Sequence, residues 1–137
     1  MLSRLQDKLN KPYYLFRPRQ LFIRLKRRLS GYKPINDSEQ VVLPWKMPIR
    51  VRPSDMIGSA IIRAGVYDPC VSEVLWRLLD KEETAIDAGA NIGQMTSLMA
   101  RRVGEKGKVL SFEPHPHIFQ ELTANVALWQ TLPVAPH

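Results

Sequence analysis

Thr84-Ala85-Ile86-Asp87-Ala88-Gly89-Ala90-Asn91-Ile92-Gly93 is the stretch that decides the fold. A short apolar run ends in an acid, two glycines four residues apart make a turn, and a helical pattern then runs to about Val103. The unit repeats in outline. Lys108-Val109-Leu110-Ser111-Phe112-Glu113 reads as a second strand, apolar toward both faces, as expected in a parallel sheet covered on each side. Pro114 ends it, and a helix is expected from about 116 to 127. Strand–helix–strand–helix at this spacing predicts a right-handed crossover unit of a doubly wound α/β sheet, with both helices on the same face.

Folds of this class bind ligands at the carboxyl ends of their strands. Asp87 closes the first strand and Glu113 the second, 24 residues beyond Gly89. Gly89 and Gly93 permit a tight turn and close approach of the backbone, and are expected to leave amides at a helix N-terminus pointing outward. An ionised carboxylate only accepts hydrogen bonds, so Glu113 suits the two hydroxyls of a ribose. These features describe a pocket for an adenosine-bearing cofactor. A dinucleotide fingerprint asks for glycine at its second position, where the backbone meets the pyrophosphate. Here Asn91 stands there, and Asp87 would repel a pyrophosphate. A cationic cofactor would be attracted instead, since opposite charges gain more in a partly buried site than in water. S-adenosylmethionine carries an ammonium and a sulfonium, so the residues favour it over NAD.

Several runs carry a resemblance: Ala64-Gly65-Val66-Tyr67-Asp68, Ala85 to Gly93, Gly107-Lys108-Val109 and Ser111-Phe112-Glu113-Pro114. Over Ile57 to Val126 the chain resembles the FkbM family of S-adenosylmethionine-dependent methyltransferases. The likeness implies a Rossmann-like class I methyltransferase fold that acts on hydroxyls of small molecules or saccharides. It implies that Asp87, Gly89, Ala90, Asn91 and Gly93 form the loop at the methionine end of the cofactor, and that Glu113 holds the ribose. A complete fold of that class continues through further strands. The sequence is therefore expected to supply only its first two parallel strands, as a truncated, cofactor-binding half with an apolar sheet face left bare. An uncovered face of that kind favours self-association over a stable monomer. The catalytic base and the acceptor contacts would lie elsewhere, and no residue is assigned to them.

Upstream, the pattern changes. Residues 34–83 read as two short strands, Val41–Leu43 and Ile49–Arg52, then a helix capped by Ser54 and closed by Gly65. A second helix is capped by Asp68, with Pro69 at its first position, where a missing N–H does no harm. Val71, Val74, Leu75, Leu78 and Leu79 form its expected buried face. Residues 84–137 make the cofactor-binding part, and residues 1–33 form a separate arm.

That arm carries the charge. It holds ten basic groups against one acid, while the remaining 104 residues hold ten basic and twelve acidic groups, so the chain's net +7 belongs to its N-terminus. Leu2, Leu5 and Leu9 recur at helical spacing until Pro12. A basic amphipathic helix is expected at about 19–29, with Leu21, Phe22, Leu25 and Leu29 on one face. The simpler expectation is that this face docks on the chain's own domain; the alternative is an anionic membrane or glycan surface. Tyr13, Tyr14 and Phe16 interleave with basic residues as in nucleic-acid binders, but no nucleic-acid fold accompanies them, so none is expected as partner. Glu113-Pro114-His115-Pro116-His117 holds metal-ligand types, yet its prolines and turn position argue for a polar helix start. Cys70 is the sole cysteine, which excludes an internal disulfide. No apolar run approaches the ~18 residues of a membrane span, and no secretory signal is present, so a cytoplasmic location is expected.

Overall fold

A computed structural model describes residues 37–130 and 132–137, together with Phe22, Leu25, Lys26, Leu29 and Ser30. The expected helix at Leu2–Leu9 and the aromatic cluster at 13–16 lie outside these residues.

Residues 39–51 form an antiparallel hairpin, β1 (Glu39–Val42) and β2 (Pro48–Val51), in which Val41 faces Ile49. Its turn is not a solvent loop. Leu43, Trp45 and Met47 are all buried, so the turn plugs its own apolar side chains into the core. The Leu43 N–H donates to the Met47 carbonyl at 2.8 Å and closes the turn. Helix α1 (Met56–Ala64) follows. Its N-cap is Asp55 rather than the expected Ser54: the Asp55 carboxylate accepts from the Gly58 N–H at 3.2 Å. The cause is the close passage of the helix over Arg52, where a Cβ on Gly58 would stand 2.0 Å from the Arg52 carbonyl oxygen. Gly65, at φ +84°, closes the helix in the left-handed region, as expected.

Helix α2 (Pro69–Leu78) starts at Asp68, whose side chain accepts from the Val71 N–H. Its buried face differs from the sequence expectation. Ser72 and Glu73 are buried, Leu75 and Leu79 pack against the sheet cluster, and Val71, Val74 and Leu78 face outward, Leu78 at 72% exposure. Small Ser72 lies against Met95, its hydroxyl 3.6 Å from the sulfur, and lets the helix approach its neighbour. That contact, not apolar count, sets the rotation of the helix.

The parallel sheet comprises β3 (Thr84–Ala88), β4 (Lys108–Phe112) and β5 (Val134–Pro136), side by side in that order. The third strand corrects the expectation of two. Three residues flanked and ended by prolines carry almost no strand signal, because proline lacks the N–H a ladder needs; as an edge strand bonded on one side only, β5 tolerates them. Helices α3 (Gln94–Val103) and α4 (Pro116–Val126) follow β3 and β4, and a single 3₁₀ turn (Ala127–Trp129) leads toward β5.

Ala85 and Val109 point to the helical side, against Met99, Ala100 and Val103. The other face is bare: Ile86 is 63% and Phe112 41% exposed. Among the described residues the N-terminal elements do not cover it. Leu43, Trp45, Ile49, Val51, Ile61 and Ile62 join Ile92, Leu98 and Trp129 in one cluster on the helical side.

Buried polar side chains stitch this layer together. Asn125, fully buried, accepts from the Arg50 N–H at 2.7 Å and donates to the carbonyls of Arg50 (3.1 Å) and Ile92 (2.8 Å). The Trp45 indole N–H donates to Ser97 Oγ at 3.0 Å, and that of Trp129 to the Pro48 carbonyl at 2.7 Å. Replacing Asn125 by Ala orphans three backbone groups in the interior, and should cost about 2–4 kcal/mol of unfolding free energy. A urea titration checks this; a loss below about 0.5 kcal/mol, the range of neutral surface changes, would contradict the role given to Asn125.

Candidate cofactor site

The turn between β3 and α3 is built on three positive φ angles: Gly89 at +81°, Asn91 at +50° and Gly93 at +92°. Glycine adopts these without penalty, and asparagine tolerates the left-handed region better than other side chains. The backbone thus explains Asn91, whose presence the dinucleotide pattern does not. A Cβ on Gly93 would lie 2.9 Å from Leu122 and 3.0 Å from Trp129, so this glycine is also required by packing. Gly89 is different. A Cβ there would meet nothing within 4 Å, so the backbone at Gly89 borders open space.

The loop amides do not point outward as expected. The N–H groups of Gly89 and Ala90 both donate to the Phe112 carbonyl at 2.9 Å, and that of Gly93 to Ala90 at 2.9 Å. The Asn91 N–H donates to Glu113 Oε2 at 2.9 Å, and the Ile92 N–H to Asn91 Oδ1 at 2.8 Å. The reason is the sharpness of the turn, which folds its own donors back onto the adjacent strand. The loop therefore offers no nest of free amides, and leaves carboxylates, carbonyls and the open side of Gly89.

The two acids flank this loop, as the sequence reading requires. Asp87 is buried and accepts a 2.5 Å hydrogen bond from Thr96 Oγ1. Burial pushes its carboxyl above the usual 3.8, and hydrogen bonds from the Thr96 side chain and backbone partly counter that rise. Asp87 thus also anchors the first turn of α3. Glu113, half-buried, holds the Asn91 N–H with one oxygen and the His115 N–H with the other, at 2.9 Å each. Its own N–H donates to the His137 carbonyl at 3.1 Å, so the third strand fixes its backbone. Each carboxylate oxygen retains further acceptor capacity.

One participant escapes the sequence reading. The Gln94 side chain accepts from the Tyr67 N–H and donates to the Tyr67 carbonyl, both at 2.7 Å. It clamps the 65–68 turn beside the glycine loop. No local pattern signals a contact spanning 27 residues. The remaining candidates are ordinary. Cys70 is exposed at a helix start. His115 and His117 lie with ring centroids 5.7 Å apart, and among the described residues no group of three His, Cys, Asp or Glu is placed to hold a metal ion. Trp45 is a core residue rather than a pocket wall.

Residues 87–135, from the end of β3 through β5, match the methyltransferase FkbM domain. Over this stretch the chain is similar to the FkbM methyltransferases. A tRNA (adenine(58)-N(1))-methyltransferase, TrmI, of Thermus thermophilus is 43% identical over 53 residues, 38% of this chain and 21% of that protein. Among solved structures, putative transferase PH0793 from Pyrococcus horikoshii superposes with a TM-score of 0.58 at 16% identity, covering 89% of this chain and 48% of that one. P. horikoshii TYW2 in complex with MeSAdo gives 0.58 at 15% identity, over 86% and 46%. These likenesses establish the Rossmann-like methyltransferase fold of the FkbM segment. The chain spans about a fifth of the length of the curated relatives it matches. Among the described residues no helix is long and apolar enough to cross a membrane.

Two outcomes follow from the loop geometry. Because the folded state holds the Asp87 proton more tightly than the unfolded chain, its contribution to stability is full below pH 3.8 and fades as pH rises through the elevated value. Asp87→Asn keeps an acceptor for Thr96 Oγ1 and should flatten the pH dependence of unfolding above pH 3.8, as read by urea midpoints. Identical slopes in the two proteins would remove Asp87 as their source. Gly89→Val has room for its side chain but not the backbone angle, and should destabilise by about 1–3 kcal/mol while leaving helix content by circular dichroism nearly unchanged.

Proposed function

We propose that this chain binds S-adenosylmethionine across the tips of β3 and β4 and takes part in methyl transfer to a hydroxyl of a small molecule or saccharide. One observation carries the reading. Two carboxylates, Asp87 and Glu113, flank a glycine turn in which a Cβ on Gly89 would meet nothing within 4 Å. The FkbM match over the same residues supports it, as does the fold shared with a protein solved in complex with MeSAdo.

The residues present suit such a cofactor. Gly89 offers an unhindered approach to the backbone, which a side chain would fill. Glu113 has acceptor capacity left on both oxygens after holding the Asn91 and His115 amides, enough for two vicinal hydroxyls. Asp87 supplies negative charge in a site of low dielectric, beside which an ammonium or sulfonium is favoured. Gln94 holds the Tyr67 backbone with two hydrogen bonds at the start of α3. When bound, the cofactor supplies an electrophilic methyl on a sulfonium. The protein's task is then alignment of an acceptor opposite the leaving sulfur, together with exclusion of competing nucleophiles. The relative named for tRNA acts on a nucleobase nitrogen. The hydroxyl acceptor proposed here follows the family resemblance instead.

Calorimetric titration tests the cofactor. S-adenosylmethionine should bind and NAD should not. Glu113→Gln retains one carbonyl for the loop amides but loses the paired acceptors, and should weaken binding roughly 10–100-fold, the scale of one charged hydrogen bond. Affinity for the cationic cofactor should also rise with pH as Asp87 ionises, an increase lost in Asp87→Asn. Equal binding of NAD, or full affinity in Glu113→Gln, would refute the placement.

A further inference from the structure

Among the described residues, three members of the arm's expected apolar face stand exposed. Phe22, Leu25, Lys26 and Leu29 are helical, and the Ser30 N–H closes onto the Lys26 carbonyl at 2.9 Å. Phe22, Leu25 and Leu29 recur at i, i+3 and i+7, which puts them on one stripe. They are 78%, 56% and 78% exposed. An amphipathic helix that leaves three large apolar side chains in water has an apolar environment still to find.

The sequence around the stripe says of what kind. Arg24, Lys26, Arg27 and Arg28 lie between its members, and no Asp or Glu occurs from Lys8 to Asn36. We propose that the helical residues Phe22, Leu25, Lys26 and Leu29 lie on a membrane surface, with Phe22, Leu25 and Leu29 seated at the headgroup–acyl boundary of an anionic bilayer and the basic sequence around them drawn to lipid phosphate. This combination of a short apolar stripe with dense positive charge is the physical signature of interfacial binding. An RNA backbone would satisfy the charge but leave the three apolar side chains in water, so lipid accounts for more of the helix. The proposal is independent of the cofactor reading.

Flotation of the full chain with phosphatidylcholine vesicles, with and without phosphatidylserine, tests it. Binding should require phosphatidylserine and weaken as salt is raised. A triple variant, Phe22→Ser, Leu25→Ser and Leu29→Ser, keeps every charge and should lose at least about tenfold in partitioning. A second variant, Phe22→Trp, reports insertion directly: its emission, taken as the difference from the wild type, should shift to the blue only with anionic vesicles. Wild-type partitioning by the triple variant, equal binding to neutral vesicles, an unshifted difference emission in the Phe22→Trp variant, or binding to RNA without binding to vesicles would each overturn the proposal.

Discussion

Everything at the strand tips depends on the backbone between Ala88 and Gln94, which must reverse direction in five residues. Three of those five hold positive φ, and every N–H from Gly89 to Gly93 is consumed within the turn or by the adjoining strand end. A turn so constrained leaves few substitutions open. Gly93 is pressed on by Leu122 and Trp129, Asn91 is held by Glu113, and only Gly89 borders free space. The freedom to approach a ligand is therefore a local property of one residue, protected by the rigidity of its neighbours.

That rigidity is not generated by the turn alone. Gln94 reaches back to Tyr67, Asn125 joins the Ile92 carbonyl to Arg50, and Ser97 receives the indole of Trp45. Each tie is made by a buried polar group whose loss would leave donors or acceptors stranded, and such groups specify a unique arrangement more sharply than apolar contact does. The N-terminal hairpin and first two helices thus act as a brace on the cofactor loop. The same brace occupies the helical side of the sheet, which is why the opposite side, with Ile86 and Phe112, stays bare.

Asp87 and Glu113 each perform two tasks. The first anchors the start of α3 through Thr96, and the second ties the loop to β4 and the start of α4. A carboxylate with several lone pairs can do both, holding the protein with some and offering the rest outward. Substitutions at these positions consequently act on architecture and recognition together, and conservative changes that keep one acceptor are needed to separate the two.

By itself, the sequence determined the crossover unit, the placement of both acids at strand ends, the glycine turn between them, and the likeness of that segment to the FkbM methyltransferases. These are local features: strand length, a proline, a positive-φ residue and a charge at fixed spacing all leave marks within a short stretch of chain. Tertiary structure alone decided the rest. The edge strand Val134–Pro136 exists because β4 offers it a ladder, not because its composition calls for one. Helix α2 turned Ser72 inward because a small side chain was needed against Met95, overruling its apolar pattern. The clamp of Gln94 on Tyr67 and the bridge of Asn125 to Arg50 span 27 and 75 residues. No periodicity records such distances, since they arise only when buried polar groups must find partners in a core already formed.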